Sequence, residues 1–215
     1  MKGDRTRATI LERAVDLASV EGLEGLTIGR LADDLHMSKS GLFAHFGSKE
    51  ELQLATVQVA RERFLDEVFR PALQTERGYP RLVEICRSWL DYVLRDVFPG
   101  GCFFAAASFE FDSRSGPVRD AIARMMEDWM AAIEKAVELA QLEGHLDPDI
   151  EPKQLSFEIN ALFFGANFAH NMWHDKKAIE RARIAIEHRL ESLRINPPKP
   201  RSQTDQTSPA QHANP

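Results

Sequence analysis

The stretch from Thr27 to Leu52, TIGRLADDLHMSKSGLFAHFGSKEEL, constrains this chain more than any other. Thr27 suits a helix N-cap, and Ile28, Leu31, Ala32 and Leu35 follow at helical spacing, so one face of a short helix is apolar. His36-Met37-Ser38 makes a turn, and Ser38 caps a second helix. In it Leu42 and Phe46, four apart, point inward together, leaving Lys39, Ser40, Phe43, Ala44 and His45 on the other faces. Gly47 ends that helix, and Ser48-Lys49-Glu50-Glu51 is a capping box that opens a third. Helices this short are marginal alone and need a scaffold to pack on. Any all-α core contains such connections. The sharper reading is a helix-turn-helix, whose second helix enters a DNA major groove.

The rest of the chain offers only helices. Residues 1–5 read as an arm, and a helix over 6–21 buries Ile10, Leu11, Ala14, Val15, Leu17 and Ala18 before Gly22 stops it. A long helix over 49–70 runs through Leu52, Ala55, Val59, Phe64 and Phe69 and is bounded by Pro71. Pro80 opens a fifth, to about 97, and Pro99-Gly100-Gly101 breaks it. The apolar run 102–111 has the length of a strand, but every other segment is helical, so a buried helix is expected. Pro117 starts a helix to about 143 with Ile122, Met125, Met126, Trp129, Ile133 and Val137 inward; helices over 153–174 and 177–194 follow. The fold class expected is all-α: a nine-helix chain with a three-helix head at 1–48 and a larger helical body at 49–195. The tail, 196–215, has five prolines and should be disordered.

Composition narrows the function. No run of 18 apolar residues exists, so no membrane span is expected. Two cysteines, Cys86 and Cys102, make no disulfide framework and suggest a reducing cytoplasm. The net charge is −6, and residues 1–50 hold seven Lys/Arg against eight Asp/Glu, a net of −1. A DNA surface needs a local basic footprint rather than a basic protein, and Lys2, Arg5, Arg7, Lys39 and Lys49 fall in the arm or at helix starts. Neither a nucleophile elbow nor a Gly-rich phosphate loop is present, so an enzyme is not expected. His170 and His174 have the four-residue spacing of a metal pair without the glutamate of a zinc-protease motif; no metal or cofactor is assigned.

The order Gly22, Thr27-Ile28, Leu31-Ala32, Met37 to Phe43, His45-Phe46 and Ser48 to Leu52 closely resembles the DNA-binding domain of the TetR (tetracycline-repressor-like) family of bacterial transcriptional regulators. The likeness covers about residues 5 to 55. It implies base-edge contacts from Lys39, Ser40, Phe43 and Ala44, and phosphate contacts from Thr27, Ser38, His45 and Lys49. Many members carry Tyr where this chain has Phe43, which brings no hydroxyl. The resemblance further implies a homodimer built as an intersubunit four-helix bundle. Its seam would hold Phe157, Ala161, Gly165 and Phe168 from the eighth helix and Ile179, Ala182, Ile186, Leu190 and Leu193 from the ninth. An effector pocket would draw on Trp89, Tyr92, Phe103, Phe104, Met125, Trp129, Asn160, Phe164 and Asn167, with Glu110 a further polar group. The expected function is a ligand-responsive repressor that binds a palindromic double-stranded DNA operator and releases it to a small, mainly apolar effector. The alternative is a helical small-molecule-binding or interaction protein that no longer binds DNA.

Overall fold

The computed structural model describes residues 2–195, so the tail at 196–215 lies outside the described residues. Among them the chain forms nine helices and no strand; the one isolated bridge pairs Leu146 with Arg194. They are α1 (Lys2–Glu21), α2 (Ile28–Asp34), α3 (Lys39–Phe46), α4 (Lys49–Phe64, continued below), α5 (Tyr79–Leu94), α6 (Phe103–Phe111), α7 (Pro117–Leu142), α8 (Pro152–Trp173) and α9 (Lys177–Ser192). The apolar run before Asp112 is thus helical, as its neighbours imply.

Two boundaries differ from the sequence reading. Among the described residues no arm precedes α1, which starts at Lys2. No proline lies between Lys2 and Glu21 to stop the helix. Pro71 also fails to end α4. The rod passes through a π-helical turn, Leu65–Phe69, into a last turn, Arg70–Leu73. The Arg70 amide donates five residues back to the Leu65 carbonyl. A widened turn just ahead of Pro71 displaces the carbonyl its ring would strike, and the proline then sits in a first turn where its missing N–H costs nothing.

In the head, Ile10, Leu11 and Ala14 of α1, Leu31 of α2 and Leu42 and Phe46 of α3 are all buried in one core. α4 lies against both α1 and α7, so one helix belongs to the head and the body. Its buried side is Leu52, Gln53, Thr56, Val57, Ala60 and Phe64, while Ala55 and Val59 are only half-buried. In the body, α5, α7 and α8 enclose Leu82, Trp89, Ile133, Val137, Ile159 and Phe163, with the Trp89 and Phe163 rings stacked at 4.3 Å.

The ninth helix corrects an expectation. Ile179, Ala182, Ile186 and Leu190 do not form a seam between subunits: all four are buried within one chain, and Leu193 is half-buried on the same core. They cover α5 and α8, with Ile186 and Leu190 facing Cys86 and Leu90. An apolar stripe demands a partner but does not name it, and α5 supplies that partner first. On α8 the expected seam residues Phe157, Ala161, Gly165 and Phe168 all face solvent, Phe157 at 63% and Phe168 at 48% exposure.

Candidate nucleic-acid interface and ligand cavity

Side chains close the starts of α2, α3 and α4 in the head. The Thr27 hydroxyl accepts the Arg30 amide at 3.0 Å, Ser38 accepts Gly41 at 3.1 Å and Ser48 accepts Glu51 at 3.0 Å. Between α2 and α3 the Met37 amide reaches back to the Ala32 carbonyl at 2.9 Å and His36 to Asp33 at 3.4 Å, which fixes the turn as a Schellman motif. His36 takes the left-handed position, φ 53°, where glycine is usual. The two short helices are therefore locked at a set angle. With Leu42 and Phe46 inward, Lys39, Ser40, Phe43 and Ala44 share the exposed face of α3, Phe43 at 56% exposure. Ser38 is exposed beside them, and His45 is half-buried with its ring tilted on Phe46.

Internal pairing occupies much of the head's acidic charge. Arg13 binds Asp34 at 2.6 Å, Arg30 binds Glu21 at 2.5 Å, and Arg63 from α4 binds Asp16 at 2.7 Å. The Arg13 hydrogen bond holds the Asp34 carboxyl below its ordinary range, and Arg30 does the same for Glu21. Lys49 is also engaged internally: its ammonium donates to Glu24 at 2.7 Å and lowers that carboxyl's pKa. A phosphate would have to compete for it. Lys39 makes no ion pair among the described residues and lies against Gly29 at the start of α2.

The body grips the head through backbone. Glu110 of α6 accepts the amides of Leu23, at 2.8 Å, and Glu24, at 3.0 Å, in the link between α1 and α2. Its expected place among ligand-orienting groups is therefore corrected: both oxygens are engaged. Gln53 of α4 completes the link by donating to the Leu23 carbonyl at 2.7 Å. The loop before α6 closes on the end of α1, where the Gly100 amide donates to Ser19 Oγ at 3.2 Å. Asn167 is corrected likewise. Its Oδ1 accepts the Cys102 amide at 2.8 Å at the start of α6, and it does not line the cavity.

A cavity of about 380 Å³ opens between α6, α7 and α8, walled by Phe111, Ile122, Ala123, Met126, Met130 and Phe164. Ser108, Asn160 and the charged side chains of Asp112 and Arg119 supply its polar groups. A small recess of about 10 Å³ lies between Phe64, Trp89, Phe104, Met125 and Trp129, with Asn160 and Phe164 common to both spaces. Of the pocket residues expected from sequence, Asn160 and Phe164 line the cavity. Trp89, Phe104, Met125 and Trp129 reach only the recess. Tyr92 and Phe103 are buried core and line neither. Ile122 and Met126 are legible in the sequence as inward positions of α7. Ser108, Asp112 and Arg119 carry no periodic signal.

His170 is buried and faces Asp96 at 3.7 Å, while His174 is exposed at the left-handed end of α8. Among the described residues no three His, Cys, Asp or Glu gather to hold a metal, and no helix is long and apolar enough to cross a membrane.

Two family models cover most of this architecture. Residues 10–56 match that of bacterial regulatory proteins of the tetR family, and residues 78–186 match the tetracyclin repressor-like C-terminal domain. The chain belongs to the TetR family. A TetR-family chain is a DNA-binding transcriptional regulator with a ligand-binding C-terminal domain, not an enzyme. This one is 33% identical over 69 residues to the HTH-type transcriptional regulator TcmR of Streptomyces glaucescens, a match spanning 32% of the chain and 30% of that relative. Its fold is that of a TetR regulator from Chloroflexus aurantiacus, with TM-score 0.84 and 22% identity over 91% of this chain and 99% of the other. AibR, solved in complex with isovaleryl coenzyme A and operator DNA, has TM-score 0.66 and 22% identity over 87% and 97% of the two chains.

Proposed function

We propose that this TetR-family chain is a homodimeric cytoplasmic repressor that releases a palindromic operator when a small, mainly apolar effector occupies the α6–α8 cavity. The observation that carries ligand control is Glu110. It sits between the cavity residues Ser108 and Phe111 while both its oxygens hold the α1–α2 link. A ligand that favours a different position of α6 shifts the head equilibrium by its differential affinity for the two states. Glu110→Ala removes a charge-assisted pair worth about 1.5–3 kcal/mol per bond. It is expected to weaken the ligand's effect on operator binding while the cavity still binds ligand; unchanged coupling in an anisotropy titration would reject this route.

The domain division we favour puts the DNA-reading head at 1–48 and the ligand and dimer body at 49–195. Lys39, Ser40, Phe43 and Ala44 meet base edges; Thr27, Ser38 and His45 approach phosphates, with Lys49 a weaker contributor because of Glu24. The α8 face of Phe157, Ala161, Gly165 and Phe168 supports a two-fold pairing, with small residues where helices approach. Its heads would read half-sites about 34 Å apart. That AibR, a chain of the same fold, was solved with operator DNA supports DNA binding by this one. The test is a gel shift with DNA flanking the protein's own gene. Lys39→Ala is expected to cost about 1–3 kcal/mol and to relax specificity at one base pair. If Lys39→Ala and Phe43→Ala both bind like wild type, the interface lies elsewhere.

A further inference from the structure

With the α6–α8 cavity taken as the effector site, one hydrogen bond sets the effector's chemistry. Indole N–H is a donor with no acceptor capacity. Trp129 Nε1 donates at 3.0 Å to Asn160 Oδ1, so chemistry fixes which end of the Asn160 amide is oxygen. Its Nδ2, with two N–H groups, has no partner among the described residues, and Asn160 lines the cavity. Ser108 has given its proton to the Phe104 carbonyl at 2.6 Å and offers only lone pairs. The donor inside the cavity is therefore Asn160. In the recess that Asn160 shares with the cavity stand Met126, Phe164 and Trp129, and no cation lines that recess. Arg119, the cavity's one guanidinium, has a side chain 45% exposed and a weak contact to Asp120 at 3.4 Å. A carboxylate brought to Asn160 would lose water without gaining a counter-charge, which is costly. A neutral carbonyl loses far less and satisfies the unpaired amide.

We infer that the ligand is an uncharged, mainly apolar molecule whose carbonyl oxygen accepts a hydrogen bond from Asn160 Nδ2. Ketones, esters and lactones share this chemistry. The thioether walls of Met126 and Met130 adapt to the shape of the apolar remainder. Trp129 joins this contact to α4, because its ring meets Phe64 edge-on at 5.3 Å and Phe69 at 5.5 Å.

The experiment uses the full-length protein and three probes of one shape: methyl octyl ketone, the same skeleton with a methylene group replacing the carbonyl, and decanoate. Binding is read from tryptophan fluorescence and from the melting temperature. The ketone should bind roughly fivefold tighter than its methylene counterpart, the worth of one net hydrogen bond. Asn160→Asp keeps the acceptor for Trp129 but replaces the donor by an oxygen, so that ratio should fall to about one or below. Should circular dichroism show this variant unfolded, Asn160→Leu provides the same comparison. Equal binding of ketone and methylene probe by wild type overturns the acceptor inference and leaves the cavity as the effector site. Decanoate binding tightest overturns the neutral-ligand inference. Failure of all three to bind overturns the cavity assignment itself.

Discussion

An aspartate at position 186 is expected to unfold the subunit, whereas an aspartate at position 157 is expected to leave it folded and without a partner. Ile186 is 2% exposed and faces Cys86 and Leu90, and the two arginines that border the same space, Arg87 and Arg183, are already paired with Glu187 and Asp91. Ile186→Asp combines a lost apolar side chain with an unpaired buried charge, a cost of about 4 kcal/mol or more, which approaches the whole stability of many domains. Phe157 is 63% exposed on α8, so Phe157→Asp changes little packing inside the subunit. On the proposed two-fold face it would bring two carboxylates together at every contact. Circular dichroism should show a folded Phe157→Asp protein, light scattering a monomer, and anisotropy a large loss of operator affinity. A stable dimer of that variant would move the interface away from α8.

The second large effect is expected at Gly100. A Cβ there would lie 1.8 Å from the Ser19 carbonyl oxygen, a backbone atom that no rotamer can withdraw. Gly100→Ala must push the loop before α6 off the end of α1, breaking the amide bond to Ser19 Oγ. Overpacking of this kind costs about 1–3 kcal/mol even where side chains can yield, and here they cannot. The melting temperature should fall and operator affinity with it, because α1 is the platform of the head. A Gly100→Ala melting temperature equal to that of the wild type would mean that the loop closes differently on α1.

The head can be read from sequence because its determinants are local. Thr27, Ser38 and Ser48 each accept the amide three residues downstream, and Leu42 and Phe46 announce the buried side of α3. The body yields less. Glu110 resembles a ligand group in sequence because nothing near it points to Leu23, 87 residues away. The stripe of Ile179, Ala182, Ile186 and Leu190 is visible, but whether it buries against its own chain or another depends on α5, which periodicity does not disclose. The aromatic residues of the body are legible as a class. Which of them border a space depends on how the rings interlock: Tyr92 and Phe103 fill the core, while Phe111 and Phe164 wall the cavity.

The π-helical turn in α4 carries a consequence for how such regulators diverge. Phe64 and Phe69 both meet Trp129, yet five residues of uniform α-helix would turn them about 140° apart. The wider turn acts like one extra residue in a screw thread, setting the phase of the segment before it against the segment after it. Conversion of Leu65–Phe69 to α-helix with every residue kept would rotate the head end of the rod by about 100° relative to the body end, whereas loss of one residue there would leave the phase nearly unchanged. Substitutions in α3 change which bases are read. Substitutions that turn this π-helical segment into α-helix without removing a residue would change the angle at which the reading head is carried, and so the spacing of the proposed half-sites, with every recognition residue untouched.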